Sequence, residues 1–273
     1  MKGARALLIA GVLMVAVSYV LYRLFAHTSA MLAPAVITPH MDVHRALSPD
    51  LSARVDRLLH EPSDRVRQGR PRLIALTFDD GPYAVTTPLL LGVLGDLRVP
   101  ATFFLIGRDA EQFPELTERI ERLHHEIANH TYSHPNLDQL GDRAVRMELV
   151  RGRAVLGRLA RDPGIATLFR PPHGRYTEET IKVAQSVGYH TVFWSDDGGD
   201  WRLMSPVQLA AHLESHASAP EIVLLHNGSL ATVFALPDVV RRFQAAGYQF
   251  VTVSQLLTRA PAEQVNHPAK NPV

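Results

Sequence analysis

The 273-residue sequence contains no cysteine. This absence excludes disulfide bonds, thiolate metal sites and cysteine nucleophiles together. A metal ion bound by this chain must therefore take its side-chain ligands from histidine, aspartate or glutamate. Histidine is plentiful, with 14 residues, and neutral imidazole is the commonest side-chain ligand of metal ions in proteins.

An excess of charge of either sign is also missing. The 28 lysines and arginines nearly balance the 27 aspartates and glutamates, for a net charge of +1 with histidine neutral. We therefore expect no nucleic-acid partner. No glycine-rich dinucleotide or phosphate loop follows any predicted strand. The hydrophobic fraction of 46% excludes a disordered chain and is enough for one large domain or two small ones.

The N-terminus has the pattern of a membrane segment. Lys2 and Arg5 precede an uncharged run from Ala6 to Tyr22, at the short end of the ~17–25 apolar residues that span a bilayer. We predict an uncleaved signal-anchor helix over residues 1–26. A cleaved signal peptide is the alternative, although Thr28–Ala30 is a poor cleavage site. Positive charge before the helix keeps that end cytoplasmic, so the catalytic domain is expected on the periplasmic or extracellular face.

The rest of the chain divides into three parts. Residues 27–70 contain prolines and a basic patch, and are predicted to be a spacer. Residues 71–258 have the hydrophobic patterns of a folded catalytic domain. Residues 259–273 carry three prolines and few hydrophobic residues, so a disordered tail is predicted.

Short apolar runs alternate with helical periodicity throughout residues 71–258. This alternation predicts an α/β fold with a parallel sheet and helices outside. About seven strands suit a closed, distorted (β/α) barrel, and an open doubly wound sheet is the alternative. The predicted strands are Leu73–Phe78, Ala101–Ile106, Glu126–Asn129, Thr167–Arg170, His190–Trp194, Ile222–Leu225 and Gln249–Thr252. The predicted helices are Thr87–Leu97, Phe113–Leu123, Leu140–Arg161, Glu178–Val187, Pro206–His216 and Phe234–Ala246.

Polar and ionisable residues gather where five of these strands end. Each group alone resembles an ordinary turn, but parallel β/α folds build their sites at the carboxyl ends of their strands. We therefore expect the five groups to form one shared site. They are Asp79–Pro82, His130–His134, Arg170–Gly174, Asp196–Trp201 and His226–Gly228.

One of these groupings is typical of a metal centre. His130 and His134 are four residues apart, so both imidazoles can face one point from a helical turn or a tight loop. Together with Asp80 they make the ligand set of a catalytic zinc site that keeps positions open for water and substrate. Other divalent ions accept the same ligands.

The remaining ionisable residues suit hydrolysis by water that the metal activates. Asp79 can accept a proton from that water, and Arg170 can keep Asp79 ionised. His226 can donate a proton to the leaving group, and Asp200 can orient His226 and raise its pKa.

The five groups resemble, in order, the motifs of the polysaccharide deacetylases, the fourth carbohydrate esterase family, whose catalytic unit is the NodB homology domain. The resemblance covers about Arg72 to Leu257. Its most specific part is TFDDGP at Thr77–Pro82. The other matching segments are Ala101–Phe104, His130–His134, Arg170–Gly174, Asp197–Trp201 and Leu224–His226.

The resemblance implies a distorted (β/α) barrel and an N-acetylated glycan substrate. It makes Asp79 the catalytic base, Arg170 its partner, His226 the catalytic acid and Asp200 the residue that tunes that acid. It makes Asp80, His130 and His134 the ligands of a divalent metal, first of all Zn²⁺ and otherwise an ion such as Co²⁺. Leu224 and Trp201 would line the pocket for the acetyl group, and His173 is the third residue predicted for the substrate pocket.

Two positions depart from the family pattern. His173 stands where tyrosine is usual. In the family the backbone N–H of that residue helps to bind the oxyanion, so we expect catalysis to survive the change. The contacts of the side chain with the substrate can differ. Asn227 stands where aspartate is frequent.

Several interpretations remain open at this stage. Chitin-type oligomers, peptidoglycan and poly-N-acetylglucosamine all carry the same acetamido group, and the sequence is compatible with each. The same chemistry could serve an O-acetyl ester or a lipid-linked sugar. A glycan-binding module without catalysis is a third interpretation, and the complete set of catalytic residues disfavours it. The oligomeric state is open.

Overall fold

The structure is a computed structural model, and it describes residues 72–160, 167–217 and 219–259. The predicted anchor, the spacer and the tail from residue 260 lie outside these residues. Within the described part of the chain, no helix combines the length and the apolar character that crossing a membrane requires. The folded domain extends one residue beyond the predicted boundary, because its last helix ends at Arg259.

The described residues contain eight strands, and all of their pairings are parallel, which confirms the predicted α/β class. Seven strands follow one path in the order β5-β4-β3-β2-β1-β7-β6, and β8 pairs with the start of β1. The strands are β1 Arg72–Asp79, β2 Thr102–Leu105, β3 Glu126–Asn129, β4 Leu168–Phe169, β5 His190–Thr191, β6 Asp196–Asp197, β7 Glu221–His226 and β8 Tyr248–Phe250.

The strand predicted over His190–Trp194 is wrong in its extent, because only His190–Thr191 forms a strand there and a second short strand follows at Asp196–Asp197. β5 pairs with β4 at one end of the path, and β6 pairs with β7 at the other. The backbone N–H of Val192 still donates to Phe169 O, whereas that of Ser195 donates to Ile222 O. One continuous segment therefore connects the two ends of the path, so the sheet is curled rather than flat.

Eight α-helices cover the described residues between and after the strands, together with two 3₁₀ turns, Leu137–Gln139 and Pro172–Gly174. The helices predicted from Leu140 and Phe234 begin elsewhere. The second begins at Leu230 because Ser229 Oγ accepts a hydrogen bond from Thr232 N, an N-cap. The helices are α1 Thr86–Leu97, α2 Gly107–Gln112, α3 Pro114–Arg122, α4 Asp142–Leu159, α5 Glu178–Ser186, α6 Pro206–His216, α7 Leu230–Ala245 and α8 Val253–Arg259.

The two faces of β1 show how the sheet positions the site. Leu76 and Phe78 are fully buried in the main hydrophobic core, which also takes apolar side chains from α1, α6 and α7. Side chains alternate along a strand, so Thr77 and Asp79 project from the opposite face. That face is the inside of the curled sheet, and its polar residues lead toward the carboxyl ends of the strands.

Candidate active site

The end of β1 brings both aspartates of the first motif to one histidine. Asp79 is the last residue of the strand, and Asp80 adopts a left-handed conformation with φ +70°. In an extended backbone neighbouring side chains point apart, but this turn redirects Asp80. As a result, Asp79 Oδ2 lies 3.8 Å and Asp80 Oδ1 3.7 Å from His130 Nε2.

A loop after β3 carries the two histidines, so of the two backbones predicted for the pair the loop is the correct one. Thr131 and His134 both have positive φ, at 69° and 62°. Thr131 Oγ1 accepts a hydrogen bond from His134 N at 3.0 Å. Glu148 on α4 accepts three more hydrogen bonds, from Tyr132 N and from the backbone and hydroxyl of Ser133. These contacts offset the strain of the loop and fix the direction of its imidazoles.

Asp80, His130 and His134, which we call the loop cluster, have the geometry of a metal site. Their ligand atoms all lie within 4.8 Å of one another. Asp80 Oδ1 is 3.1 Å from His134 Nε2, yet it is buried without an accepted hydrogen bond from the described residues. Close ligand atoms that converge without bonding to each other fit a cation between them. The residues present therefore fit a divalent metal ion.

The protonation of these groups also suits a cation. His130 is buried, and its Nδ1 lies 2.8 Å from Arg170 O, so an Nδ1–H donor there leaves Nε2 as a free ligand atom. Burial lowers the pKa of His130, which keeps the ring neutral. For Asp80, burial acts to raise the pKa, but the nearby His134, His130 and His226 outweigh it and lower the pKa to about 2.

The carboxylate of Asp79 is held by a fully buried arginine. Arg170 Nη1 donates to Asp79 Oδ1 at 2.6 Å and to Thr77 Oγ1 at 2.8 Å. The rest of the guanidinium donates to the carbonyls of Val192 and Phe193, at 3.2 and 3.1 Å, in the segment between β5 and β6. Arg170 therefore donates both to Asp79 and to the segment that connects the two ends of the sheet, and both contacts fix its position.

His226 ends β7 and is bound to the buried carboxylate of Asp200. His226 Nδ1–H donates to Asp200 Oδ1 at 2.7 Å, and His226 N donates to Asp200 Oδ2 at 2.9 Å. Thr232 Oγ1 donates to the same Oδ2 at 2.5 Å. Burial acts to lower the pKa of His226, but the hydrogen bond and charge of Asp200, with the charges of Asp79 and Asp80, raise it to about 9. The imidazolium is therefore the prevailing form at neutral pH, and Nε2 is the atom that can deliver its proton.

The three residues predicted for the substrate pocket lie in different surroundings. Leu224 is 5% exposed and is two residues before His226 on β7, so both project from the same face of the sheet. Trp201 is 56% exposed, with its indole N–H 3.3 Å from Asp197 Oδ1. His173 is exposed at positive φ, and its ring centroid lies 4.5 Å from that of His134.

Sequence analysis missed residues that act only through long-range contacts. Thr77 Oγ1 accepts from Arg170 and donates to Val223 O at 2.6 Å. Asn227, one of the two departures from the motif, donates from its backbone to Asp79 O at 2.9 Å and accepts from Thr87 Oγ1 at 3.0 Å. It therefore ties the ends of β1 and β7 to α1. No sequence spacing indicates these contacts, because their partners are far apart in the chain.

Comparison with known proteins agrees with this fold and this site. The family model described as polysaccharide deacetylase matches residues 67–192. A peptidoglycan-N-acetylglucosamine deacetylase of Bacillus cereus is 36% identical over 191 residues, which are 68% of this chain and 88% of the relative. A chitooligosaccharide deacetylase of Rhizobium leguminosarum bv. phaseoli is 38% identical over 161 residues, 59% of this chain and 69% of the relative.

A solved structure extends the similarity to three dimensions. A peptidoglycan N-acetylglucosamine deacetylase, crystallised with a naphthalenyl N-oxidanyl-benzamide, superposes with a TM-score of 0.66 at 31% identity, covering 72% of this chain and 96% of that one. A curled parallel α/β sheet with an Asp/His/His cluster at its strand ends is the class of protein that these observations define. The chain belongs to the polysaccharide deacetylase family, the hydrolases of carbohydrate esterase family 4.

Proposed function

We propose that this chain is a metal-dependent hydrolase that removes N-acetyl groups from glycans containing N-acetylhexosamine. One observation carries the proposal: two separate proton-handling pairs, Asp79 with Arg170 and His226 with Asp200, accompany the loop cluster. β1 and β7 are neighbours in the sheet, and Asp79 is in register with His226. A base and an acid are therefore available at one centre, as amide hydrolysis requires.

The loop cluster is proposed to hold the metal ion. Two imidazoles and one carboxylate favour Zn²⁺, and Co²⁺ is the next candidate. When bound, such an ion supplies a Lewis acid that polarises the acetamide carbonyl and makes water more acidic. The orphaned buried oxygen of Asp80 and the fixed tautomer of His130 support this assignment.

Asp79 is proposed to accept the proton of the attacking water. Its Oδ1 is occupied by Arg170, and its Oδ2 lies 3.8 Å from His130 Nε2, beside the proposed metal ligands. Because Arg170 Nη1 donates to Oδ1, Oδ2 is the carboxylate oxygen left to accept a proton. Arg170 has no exposed surface, so this contact is shielded from solvent.

His226 is proposed to donate a proton to the departing amine. With Nδ1 bound to Asp200, the ring has one orientation and Nε2 is its free donor. The raised pKa keeps the ring protonated in the free enzyme at neutral pH. Backbone N–H groups, including that of His173, are proposed to bind the developing oxyanion. Leu224 and Trp201 are proposed to contact the acetyl group.

The names of the relatives support the substrate class. The proteins compared above are named as deacetylases of peptidoglycan and of chitooligosaccharides. Both carry N-acetylglucosamine, so this unit is the proposed target. O-acetyl esters and lipid-linked sugars are the alternatives within the same chemistry, and a glycan-binding module without catalysis is a third.

We also propose that residues 1–26 anchor the protein with its catalytic domain outside the cytoplasm. The uncharged run after Lys2 and Arg5 supports this topology, as does the extracytoplasmic location of peptidoglycan. A reporter fused to the C-terminus should be active only outside the cytoplasm. Activity of a cytoplasmic reporter would contradict the topology, and release of a shortened soluble protein would favour a cleaved signal peptide.

The test of function is acetate release by the full-length chain. Defined chitooligosaccharides, peptidoglycan and O-acetylated sugars are compared before chelation, after chelation and after Zn²⁺ or Co²⁺ is restored. The proposal expects acetate from N-acetylated glycans, loss on chelation and recovery with metal. Release from O-acetyl sugars alone would favour the ester alternative. Glycan binding without acetate release under every condition would favour the module without catalysis.

A further inference from the structure

A second group of one aspartate and two histidines lies on the other face of the sheet. Asp196, His212 and His216, which we call the helix cluster, place their ligand atoms within 4.8 Å of one another. In β6, Asp196 pairs with Val223 and Asp197 pairs with Leu224. Val223 belongs to the helix-facing core, so Asp196 projects toward α6, whereas Asp197 projects toward the inside.

One of the two carboxylate oxygens of the buried Asp196 has no partner among the described residues. The residue is 7% exposed. Asp196 Oδ1 lies 3.5 Å from His212 Nε2, and Oδ2 finds no hydrogen-bond donor in the ranges that the structure describes. A buried carboxylate without partners is costly and is normally paired or bound to a metal. The unpartnered oxygen is an observation that points to a missing cation.

The two histidines are spaced and oriented as ligands. His212 and His216 are one turn apart on α6 and have ring centroids 4.2 Å apart. His216 Nδ1 lies 2.9 Å from His212 O, so an Nδ1–H donor there leaves Nε2 free. His130 uses the same arrangement in the loop cluster, with Arg170 O as the acceptor.

The separation of the ligand atoms also fits a small ion. Two ligands ~2.0–2.1 Å from a tetrahedral zinc ion lie about 3.4 Å apart. The Asp196 Oδ1 to His212 Nε2 distance of 3.5 Å matches this value. An ordinary ion pair with a protonated His212 would account for that distance, but it would leave the buried Asp196 Oδ2 unexplained.

We propose that Asp196, His212 and His216 form a second divalent-metal site, separate from the loop cluster. Imidazole with carboxylate favours Zn²⁺ and similar transition metals over Ca²⁺ and Mg²⁺. In the metal-free state His212 Nε2 donates its hydrogen to Asp197 O at 2.9 Å. A metal ion takes the lone pair of Nε2, so the ring must give up this hydrogen and carry one on Nδ1 instead; for a neutral ring the exchange through solvent releases no net proton.

The second ion would have a structural role, because it would link β6 to α6. Asp197 Oδ1 accepts hydrogen bonds from Gly199 N at 3.0 Å and from Trp201 Nε1 at 3.3 Å. The same loop carries Asp200, the partner of His226. An ion held by β6 and α6 therefore fixes the start of this loop without touching the substrate. The proposed second metal site goes beyond the proposed function and does not depend on that function.

The experiment measures Zn²⁺ binding by the metal-stripped full-length chain, using calorimetry and elemental analysis. A background with His130→Ala and His134→Ala removes the loop cluster, so the helix cluster is tested by itself. In that background we expect one tight Zn²⁺ per chain. Adding His216→Gln or Asp196→Asn should weaken this binding more than ~100-fold, beyond the usual loss from an outer-shell change.

His190→Gln is the matched control, because His190 is an exposed histidine of β5 outside both clusters. This control should leave the Zn²⁺ affinity unchanged. Circular dichroism confirms folding, and His216 is exposed, so its substitution does not disturb the core. The proposal is overturned if the background binds no Zn²⁺ tightly, or if His216→Gln and Asp196→Asn leave the affinity unchanged.

Discussion

The loop cluster and the helix cluster contain the same three residue types in opposite settings. In the loop cluster, Asp80, His130 and His134 come from the ends of two strands and from a loop with positive φ angles. In the helix cluster, one strand residue faces two histidines that are four apart on a regular helix. The first lies beside the pairs Asp79–Arg170 and His226–Asp200, and the second lies between a strand and a helix.

This comparison distinguishes a site that can only bind a metal ion from a site that can also use the ion in a reaction. Both clusters offer a carboxylate and two imidazoles, so their ligand chemistry alone does not distinguish them. The loop cluster also has Asp79 held by Arg170, and His226 held by Asp200, in neighbouring strands. These two pairs, which we propose supply a base and an acid, make one cluster a candidate for catalysis, whereas the ligand set does not. The predictions below test this distinction from the largest expected effect to the smallest.

Asp79→Asn should remove most of the activity without removing the metal. The asparagine side chain that replaces Asp79 cannot accept the proton of the attacking water. A general base contributes ~10²–10⁴-fold in rate. Turnover on N-acetylglucosamine oligomers and bound metal are measured on the same sample. Asp96→Asn, a change of an exposed aspartate on α1, is the control and should match the parent. Full turnover by Asp79→Asn would refute its assignment as the base.

His226→Ala should lose activity, and the size of the loss should depend on the leaving group of the substrate. An amine must be protonated to depart, whereas an activated phenolate departs without help. We expect ~10²–10⁴-fold loss on an N-acetyl substrate and a much smaller loss on an aryl acetate. Asp79→Asn should reduce both. Rates on the two substrates provide the measurement, and equal losses for His226→Ala would mean that it is not the acid.

Asp200→Asn should shift the alkaline limb of the pH–rate profile. His226 must be protonated, and its pKa of about 9 places the wild-type limb near that pH in the free enzyme. Removing the charge of Asp200 should move the limb to lower pH by roughly 1–3 units. The profile of kcat/KM is the measurement. Asp238→Asn changes an exposed aspartate on α7 and should leave the limb in place; an unshifted limb in Asp200→Asn would contradict the pairing.

The same pair predicts a pH-dependent stability. The pKa of His226 is raised from 6.5 to about 9 on folding, so its stabilisation is fully present below pH 6.5 and is lost as pH rises through about 9. The free energy of unfolding, measured on metal-stripped protein, should therefore fall over this interval in the wild type. Asp200→Asn should flatten that fall, and an identical pH dependence in both proteins would argue against the shift.

The smallest effect concerns the helix cluster. An ion that binds only the folded state adds ~2.7 kcal/mol when its concentration is 100 times Kd. Zn²⁺ should raise the melting temperature of the wild type. His216→Gln should lose only the part of this increase that comes from the helix cluster, and His134→Ala should lose the part that comes from the loop cluster. Thermal melts with and without Zn²⁺ measure both, and equal gains in wild type and His216→Gln would count against the second site.

Much of the fold was predictable because it rests on local patterns. The apolar run of β1 was predicted within one residue at each end, and the capped helix α6 was predicted with the bounds that the structure shows. β6 was missed because Asp196–Asp197 has no apolar pattern, and it is a strand only through its pairing with β7. The helix α2 was also missed, since its six residues follow β2 without a turn signal.

The ligand types, their order and the family motifs were properties of the sequence by itself. They were sufficient to predict an α/β fold and a site of Asp, His and Arg residues at the strand ends, because alternation and motif spacing act over a few residues. The pairs Asp79–Arg170 and His226–Asp200 were also predicted, because the resemblance implies them. The tertiary structure alone showed the hydroxyl groups that complete these pairs: Thr77 Oγ1 accepts from Arg170 Nη1, and Thr232 Oγ1 donates to Asp200 Oδ2.

The helix cluster depends on tertiary structure most of all. Asp196 and Asp197 are adjacent in the sequence, and only the register of β6 against β7 sends one to α6 and the other to the inside of the sheet. A shift of one residue would exchange them, because the side chains of a strand alternate between its two faces. The sequence determined which groups could bind a metal, and the packing of a strand against a helix determined which of them meet.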